Sequence, residues 1–238
     1  MSQLKDKLRE VIPRHRERVK KVLQEKQDKV VCEVTVKQVY GGMRGVKNLV
    51  CETSYLDPIE GIRYRNKTIP EMRRELPKAP GGEEPLPEAS WWLLLTGEVP
   101  TEAQVRDLQD EFRAVSEVPS YVKDVLNTMP KDTHPMTMFS QAILSMQRES
   151  IFLRRYNEGM RKEEYWEPMY EDSVRLLAKL PEIAAYIYRL KYKNAKFISP
   201  DPNLDLAGNF AHMMGIEAPE YKDLMRLYFF LHSDHESG

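Results

Sequence analysis

The apolar positions along this chain change period several times, and each change marks an element. Residues 4 to 27 carry Leu4, Leu8, Val11, Ile12, Val19 and Leu23 among many Lys, Arg and Glu residues. That spacing predicts a partly amphipathic helix, interrupted near Pro13 where the ring removes a backbone donor. The pattern then switches. Val30-Val-Cys-Glu-Val-Thr-Val36 is rich in β-branched residues, and Asn48-Leu-Val-Cys-Glu-Thr53 has a shorter strand-like pattern. Between them, Tyr40-Gly-Gly-Met-Arg-Gly45 supplies three glycines. The two runs predict a small β-hairpin near residues 30–54 with a Gly-rich connection.

After a Pro, Gly and acid-rich loop from Pro77 to Glu88, helical signals return. Trp91-Trp-Leu-Leu-Leu95 is apolar all round, which predicts burial on every side. Gly97 follows where a helix C-terminus favours positive φ. Thr101 with Gln104 three residues on reads as a capping box, and Val105, Leu108, Phe112 and Val115 continue at helical spacing. Ser120 is the expected cap of a short helix carrying Val122, Val125, Leu126 and Met129. Met136, Phe139, Ile143, Met146, Ser150 and Leu153 form one further stripe. Met169–Leu180 and Ile183–Tyr192 read as two helices separated at Pro181. Pro219 suits a first helical position, and Leu224, Tyr228, Leu231 and His235 continue one face. The chain therefore reads as mainly α with a minor β element.

Composition narrows the class. With 238 residues, 41% hydrophobic and 31% charged, the sequence is that of an ordinary globular protein with a sizeable core. The net charge of −1 gives no global field to draw nucleic acid or an anionic membrane. No apolar run approaches the roughly 20 residues of a membrane span. Cys32 and Cys51 lack metal-ligand spacing and the density of a disulfide scaffold, so a reducing compartment fits, and a bridge between the two stays open. The early acids Asp6 and Glu10 are unlike an Arg-rich, acid-poor transit peptide.

Three places carry candidate chemistry. His232 and His235 lie three apart, so on a helix they share a side. They read as metal ligands short of a third partner, as cations at a helix C-terminus, or as donors to a carboxylate. Arg44 stands among glycines, where a guanidinium either grips a phosphate or is solvated in a turn. Arg154, Arg155, Arg161 and Lys162 form a basic run that Glu158, Glu163 and Glu164 balance. The 37 acidic residues are too many for spacing alone to select a catalytic pair.

Taken in order, the motifs resemble citrate synthase, in the branch typical of mitochondria. They are Tyr40-Gly-Gly-Met-Arg-Gly45, Leu56-Asp-Pro58 leading to Glu60-Gly-Ile-Arg-Tyr-Arg65, and Leu76-Pro-Lys-Ala79. Gly81-Gly-Glu-Glu-Pro-Leu-Pro-Glu88, Leu94-Leu-Thr-Gly97, His134-Pro-Met136 and Tyr165-Trp-Glu167 follow, then Tyr170-Glu-Asp172 and His232-Ser-Asp-His-Glu236. Each alone is weak; the collinear series is specific. It covers the whole chain but only about the first half of the family's protein.

The resemblance implies a mainly helical bundle, part of the large domain of a homodimer whose small catalytic domain is absent from residues 1–238. It implies condensation of acetyl-CoA with oxaloacetate to citrate and CoA, with no cofactor beyond acetyl-CoA as substrate and no metal. His235, with His232, matches the motif that binds oxaloacetate. Arg44 matches the arginine that reaches the CoA phosphates of the neighbouring subunit. The second CoA-binding arginine aligns with Lys162, with Arg161 beside it; a lysine there would keep charge but lose the bidentate fork. Three departures stand out: Asn66 replaces a glycine, Leu206 a usual tryptophan, and Ser237 a glycine.

The family's catalytic residues lie in the half this sequence lacks, so none is assigned here. The chain alone is expected to be inactive, a partner to a complementary half; the alternative is a catalytically dead paralogue serving a larger assembly. The resemblance points to the mitochondrial matrix, with the cytoplasm as the alternative.

Overall fold

A computed structural model describes residues 2–46, 49–193 and 196–235. The first helix, α1 (Gln3–Lys26), opens on Ser2, whose hydroxyl accepts from the Lys5 amide at 3.1 Å. Leu4 and Leu8 are its buried residues. Pro13 does not end it. Beyond Ile12 the helix leaves the core and becomes exposed, so the proline marks the end of packing rather than of the helix. An outward-facing turn accommodates the missing donor because the carbonyl it strands can bond water.

The expected hairpin at residues 30–54 is corrected by the structure. Residues 29–35 have no regular structure, and α2 (Val36–Tyr40) follows, started by a capping box between Thr35 and Gln38. Val30 and Val31 are 82% and 74% exposed. β-branched residues favour strands by packing on a pleated, half-covered surface, and among the described residues no neighbouring strand supplies one here.

The sheet is real but lies downstream. Strands β1 (Ser54–Asp57), β2 (Gly61–Tyr64) and β3 (Lys67–Thr68) form an antiparallel meander in the order β1-β2-β3. Asp57 Oδ1 accepts from the Ile59 and Glu60 amides, both at 2.8 Å, and shapes the first turn. Tyr64 pairs with Lys67 across a two-residue loop in which Arg65 and Asn66 have φ of 47° and 66°. Two positive φ values are the signature of the type I′ hairpin turn, which is why Asn at 66 substitutes well for glycine.

Helices α3 (Ile69–Glu75), α4 (Pro87–Thr96), α5 (Glu102–Val115), α6 (Ser120–Thr128) and α7 (Pro135–Ser145) follow. Trp92, Leu93 and Leu94 of α4 are buried, whereas Trp91 and Leu95 are half-buried. Gly97 ends the helix at φ 78°. The Thr101–Gln104 capping box is present. Helix α6 begins at Ser120 itself, with Pro119 before it and no side-chain cap.

The stripe from Met136 to Leu153 is not one helix. A short 3₁₀ turn at Met146–Glu149 breaks it, and Ser150 caps α8 (Ile151–Asn157) by accepting from the Leu153 amide at 3.0 Å. Asp172 adds to that cap, accepting from the Ile151 and Phe152 amides at 2.8 and 3.0 Å.

Asp172 belongs to α9 (Trp166–Tyr192), a single helix of 27 residues running through Pro181. At 1.5 Å per residue it is roughly 40 Å long. A proline inside a helix costs about 3 kcal/mol. Burial of Val174, Ala178, Ile183, Ala185 and Ile187 on both sides of it holds α9 together. Helices α5, α7, α8 and α10 (Leu206–Met214) all pack on this spine. Lys179 is buried in it and donates to the Val115 carbonyl at 2.8 Å, placing a cation at the C-terminus of α5.

The last helix, α11 (Pro219–Leu231), packs on α4 through Phe230 and on α10 through Phe229 against Phe210, and buries Arg226. Leu224 and Tyr228, which continue one face of it, are 51% and 53% exposed. Among the described residues no helix is long and apolar enough to cross a membrane.

Candidate functional site

Helix α11 stops at Leu231, so His232 and His235 do not share a helical face. His232 is the cap residue, at φ −107°, and its Nδ1 lies 2.8 Å from the Tyr228 carbonyl. A carbonyl can only accept, so Nδ1 carries the proton and satisfies one of the orphan acceptors at the helix end. The imidazole also lies against the Tyr228 ring, with centroids 4.2 Å apart. Nε2 has no hydrogen-bond partner among the described residues. Ser233 closes the turn by donating to the Phe229 carbonyl at 2.8 Å.

The strand β2 clamps this turn from below. The Tyr64 hydroxyl faces the carbonyls of Leu231 at 2.9 Å, Phe230 at 3.2 Å and Asp234 at 3.3 Å. Burial raises its pKa above the ordinary tyrosine value, keeping it a donor. The neighbouring Arg65 donates through Nε to the Leu94 carbonyl at 2.7 Å, fastening the hairpin to α4. His235, just past this clamp, is exposed. It is thus held at its base and open at its tip.

The arginine candidates stand elsewhere. Arg44 is exposed in a turn where Gly42, Met43 and Gly45 have φ of 76°, 60° and 73°. Arg161 precedes a short 3₁₀ turn, Lys162–Glu164, and its Nη2 is 2.7 Å from Glu164 Oε1. Lys162 is exposed and has no ion pair among the described residues. Of the two, Lys162 is the unengaged cation. No hydrogen bond or ion pair among the described residues joins the His232–His235 turn, the Arg44 turn and the Arg161–Lys162 turn. Among the described residues no group of three or more His, Cys, Asp or Glu could hold a metal ion. Cys32 and Cys51 are free thiols.

The most perturbed carboxyl was not legible beforehand. Glu88, in the first turn of α4, is 1% exposed. Its Oε1 accepts from the Leu206 amide at 2.9 Å and Gln109 Nε2 at 3.4 Å, while Oε2 is buried without a partner. Burial, and then the charge of Asp205, push it up to about 7. Asp205 caps α10 through the Gly208 amide and pairs with Arg226 at 2.7 Å. The sequence shows an acid shortly ahead of the apolar run Trp91–Leu95, but not that this acid is buried.

Comparison with known proteins fixes the family. A family model described as citrate synthase, C-terminal domain, matches residues 42–237. The chain belongs to the citrate synthase family. It is 52% identical over 235 residues to the mitochondrial citrate synthase of Saccharomyces cerevisiae, spanning 99% of this chain and 49% of that protein. The mitochondrial 2-methylcitrate synthase of Yarrowia lipolytica is 47% identical over 237 residues, again 99% of this chain and 51% of that protein. Among solved structures, the citrate synthase of Pyrobaculum aerophilum aligns at a TM-score of 0.70 and 27% identity, covering 82% of this chain and 47% of that one. The chain spans about half the length of the curated relatives it matches. The mainly helical citrate synthase fold and the family read from the motifs both hold.

Proposed function

We propose that this chain supplies substrate-binding groups for the condensation of acetyl-CoA with oxaloacetate, and that it is inactive until a complementary citrate synthase half completes it. Residues 1–238 are read as part of the large domain. The observation that carries this reading is the clamped turn after α11. Tyr64 and Ser233 fix its backbone while His235 stays open to solvent, as an anion-binding imidazole requires.

His232, with Nδ1 committed to a carbonyl, presents Nε2 beside it. Arg44 and Lys162, both exposed cations, are assigned to the CoA phosphates, with Arg161 tethered to Glu164 and in reserve. Such phosphate contacts act at a distance from the reacting carbon; they position rather than catalyse. Catalysis itself needs groups that stabilise the enolate and remove the methyl proton, and none is assigned in this chain. The active form is proposed to be dimeric and to reside in the mitochondrial matrix, as the names of the mitochondrial relatives suggest.

A second reading, a non-catalytic paralogue within a larger assembly, is favoured by Leu206. This smaller side chain stands where the resemblance has tryptophan, and it lines an apolar cavity. Co-expression with the unmatched half of the Saccharomyces cerevisiae relative separates the two. Oxaloacetate-dependent CoA release by the purified pair, lost on His235→Ala, supports the half-enzyme. A stable pair with no such release supports the paralogue.

A further inference from the structure

The segment that joins α9 to α10 runs as a strap over a cavity of about 170 Å³. Pro200, Asp201 and Leu204 of the strap line it together with Phe112 and Arg113 of α5 and Pro181 of α9. Residues 197–204 form no helix or strand, so bonds to side chains decide where the strap lies. Asn209 on α10 fastens one end: it accepts from the Asp201 amide at 2.7 Å and donates to the carbonyls of Asp201 and Leu204 at 2.8 and 3.2 Å. Arg189 on α9 reaches the start of the segment, where its Nε donates to the Lys196 carbonyl.

Between these two fastenings stands one that can titrate. His212, in the last turn of α10, has Nε2 3.1 Å from the Ser199 carbonyl and Nδ1 2.5 Å from Glu217 Oε1. A carbonyl only accepts, and so does an ionised carboxylate. Glu217 is ionised: the bond from Lys222 and then that from His212 hold it below the usual carboxylate range. Both ring nitrogens therefore donate, and the arrangement is that of an imidazolium. A neutral ring has a single N–H. It keeps the charged Glu217, whose bond is the stronger, and turns a lone pair towards the Ser199 carbonyl.

We propose that His212 is a proton-operated latch: the doubly protonated ring fastens the strap at Ser199 over the cavity, and loss of one proton frees that end while Asn209 keeps the other. The remaining charged groups at this junction come from three elements. Asp201 on the strap is held below the usual carboxylate range, first by the Asn203 amide. Lys222 on α11 lies 2.8 Å from Glu217 Oε2, and Arg189 on α9 donates through Nη1 to the Met214 carbonyl at 3.1 Å. Lysine and arginine keep their charge well above neutrality, whereas histidine is the side chain that changes charge between about pH 5 and 8. The latch stands independently of the citrate-forming role proposed above.

The test reads the ring and the strap separately in the 238-residue chain. NMR of the His212 Cε1 proton gives the midpoint of the ring's own titration. Protection of the Asp201 amide against hydrogen exchange, corrected for the intrinsic rate, gives the state of the strap between about pH 5 and 8. The expected result is a loss of protection of about tenfold, with a midpoint that coincides with that of the ring. His212→Gln, which cannot titrate, is expected to remove the step. Glu217→Gln changes the charge beside the ring, and the two midpoints are expected to move together; this variant serves if His212→Gln does not fold. Protection that stays constant while the ring titrates overturns the proposal. So does a step centred at another pH, a step that survives His212→Gln, or midpoints that part in Glu217→Gln.

Discussion

The Tyr64 hydroxyl on β2 lies 2.9 Å from the carbonyl of Leu231, the last residue of α11. The same ring packs edge-on against Phe230, with centroids 5.9 Å apart. One side chain therefore sets both where α11 ends and how the His232–His235 turn leaves it. Tyr64→Phe keeps the ring and removes the donor. The expected cost is about 1–2 kcal/mol, read from the urea midpoint at unchanged slope. Amide exchange at Ser233 and His235 should quicken more than exchange in α9, since the lost bond is local.

Glu88 makes stability depend on pH in a definite direction. Its folded-state pKa, about 7, lies above the ordinary value of 4.5, so between these pH values the folded chain holds a proton that the unfolded chain has lost. The stabilisation is fully present below pH 4.5 and disappears as pH rises through 7, a change of up to roughly 3 kcal/mol. The depressed carboxyls, among them Glu71, Glu164 and Glu217, change stability at more acidic pH and in the opposite sense. Glu88→Gln should flatten the profile between pH 4.5 and 7. Parallel wild-type and variant profiles across that range would refute the assignment.

Asp205 carries two loads, the cap of α10 and the pair with buried Arg226. Asp205→Ala leaves that guanidinium with Asp223 alone, at 3.3 Å. A loss of about 3–5 kcal/mol is expected for breaking a buried pair from one side. Asp205→Ala combined with Arg226→Met should recover part of it, because no charge is then stranded. Urea titration of the two variants reads the difference.

Position 66 tests the hairpin geometry. Asn66 has φ 66° in the β2–β3 loop, where a β-branched side chain is strained. Asn66→Val is expected to lower stability by about 1–2 kcal/mol, and Asn66→Gly to leave it within a few tenths or raise it. Thermal melting distinguishes these outcomes.

Local chemistry was legible where it was self-contained. The Thr101–Gln104 box and the Gly97 terminus depend on a few adjacent residues, and the structure keeps both. Readings that needed a distant partner were not. The valines at 30–36 look like a strand, but a strand needs a neighbour, and among the described residues no strand pairs with them. Pro181 looks like a break, yet packing on both sides of it carries α9 through. Ser150 fitted an apolar stripe by spacing, while its real role as a cap involves Asp172 from another helix. The His232–His235 motif was visible, but its clamp by Tyr64 joins residues more than 160 apart. Glu88 was invisible for the same reason: only folding brings Leu206 and Gln109 to it and leaves Oε2 without a donor.

The half-enzyme reading is tested most directly by thiol release from acetyl-CoA in the presence of oxaloacetate, using the purified 238-residue chain with its mass in solution determined alongside. The expected result is no oxaloacetate-dependent release above the buffer rate, whatever the mass. Clear release that His235→Ala abolishes would contradict it, and would mean that this chain holds the groups that form and stabilise the enolate.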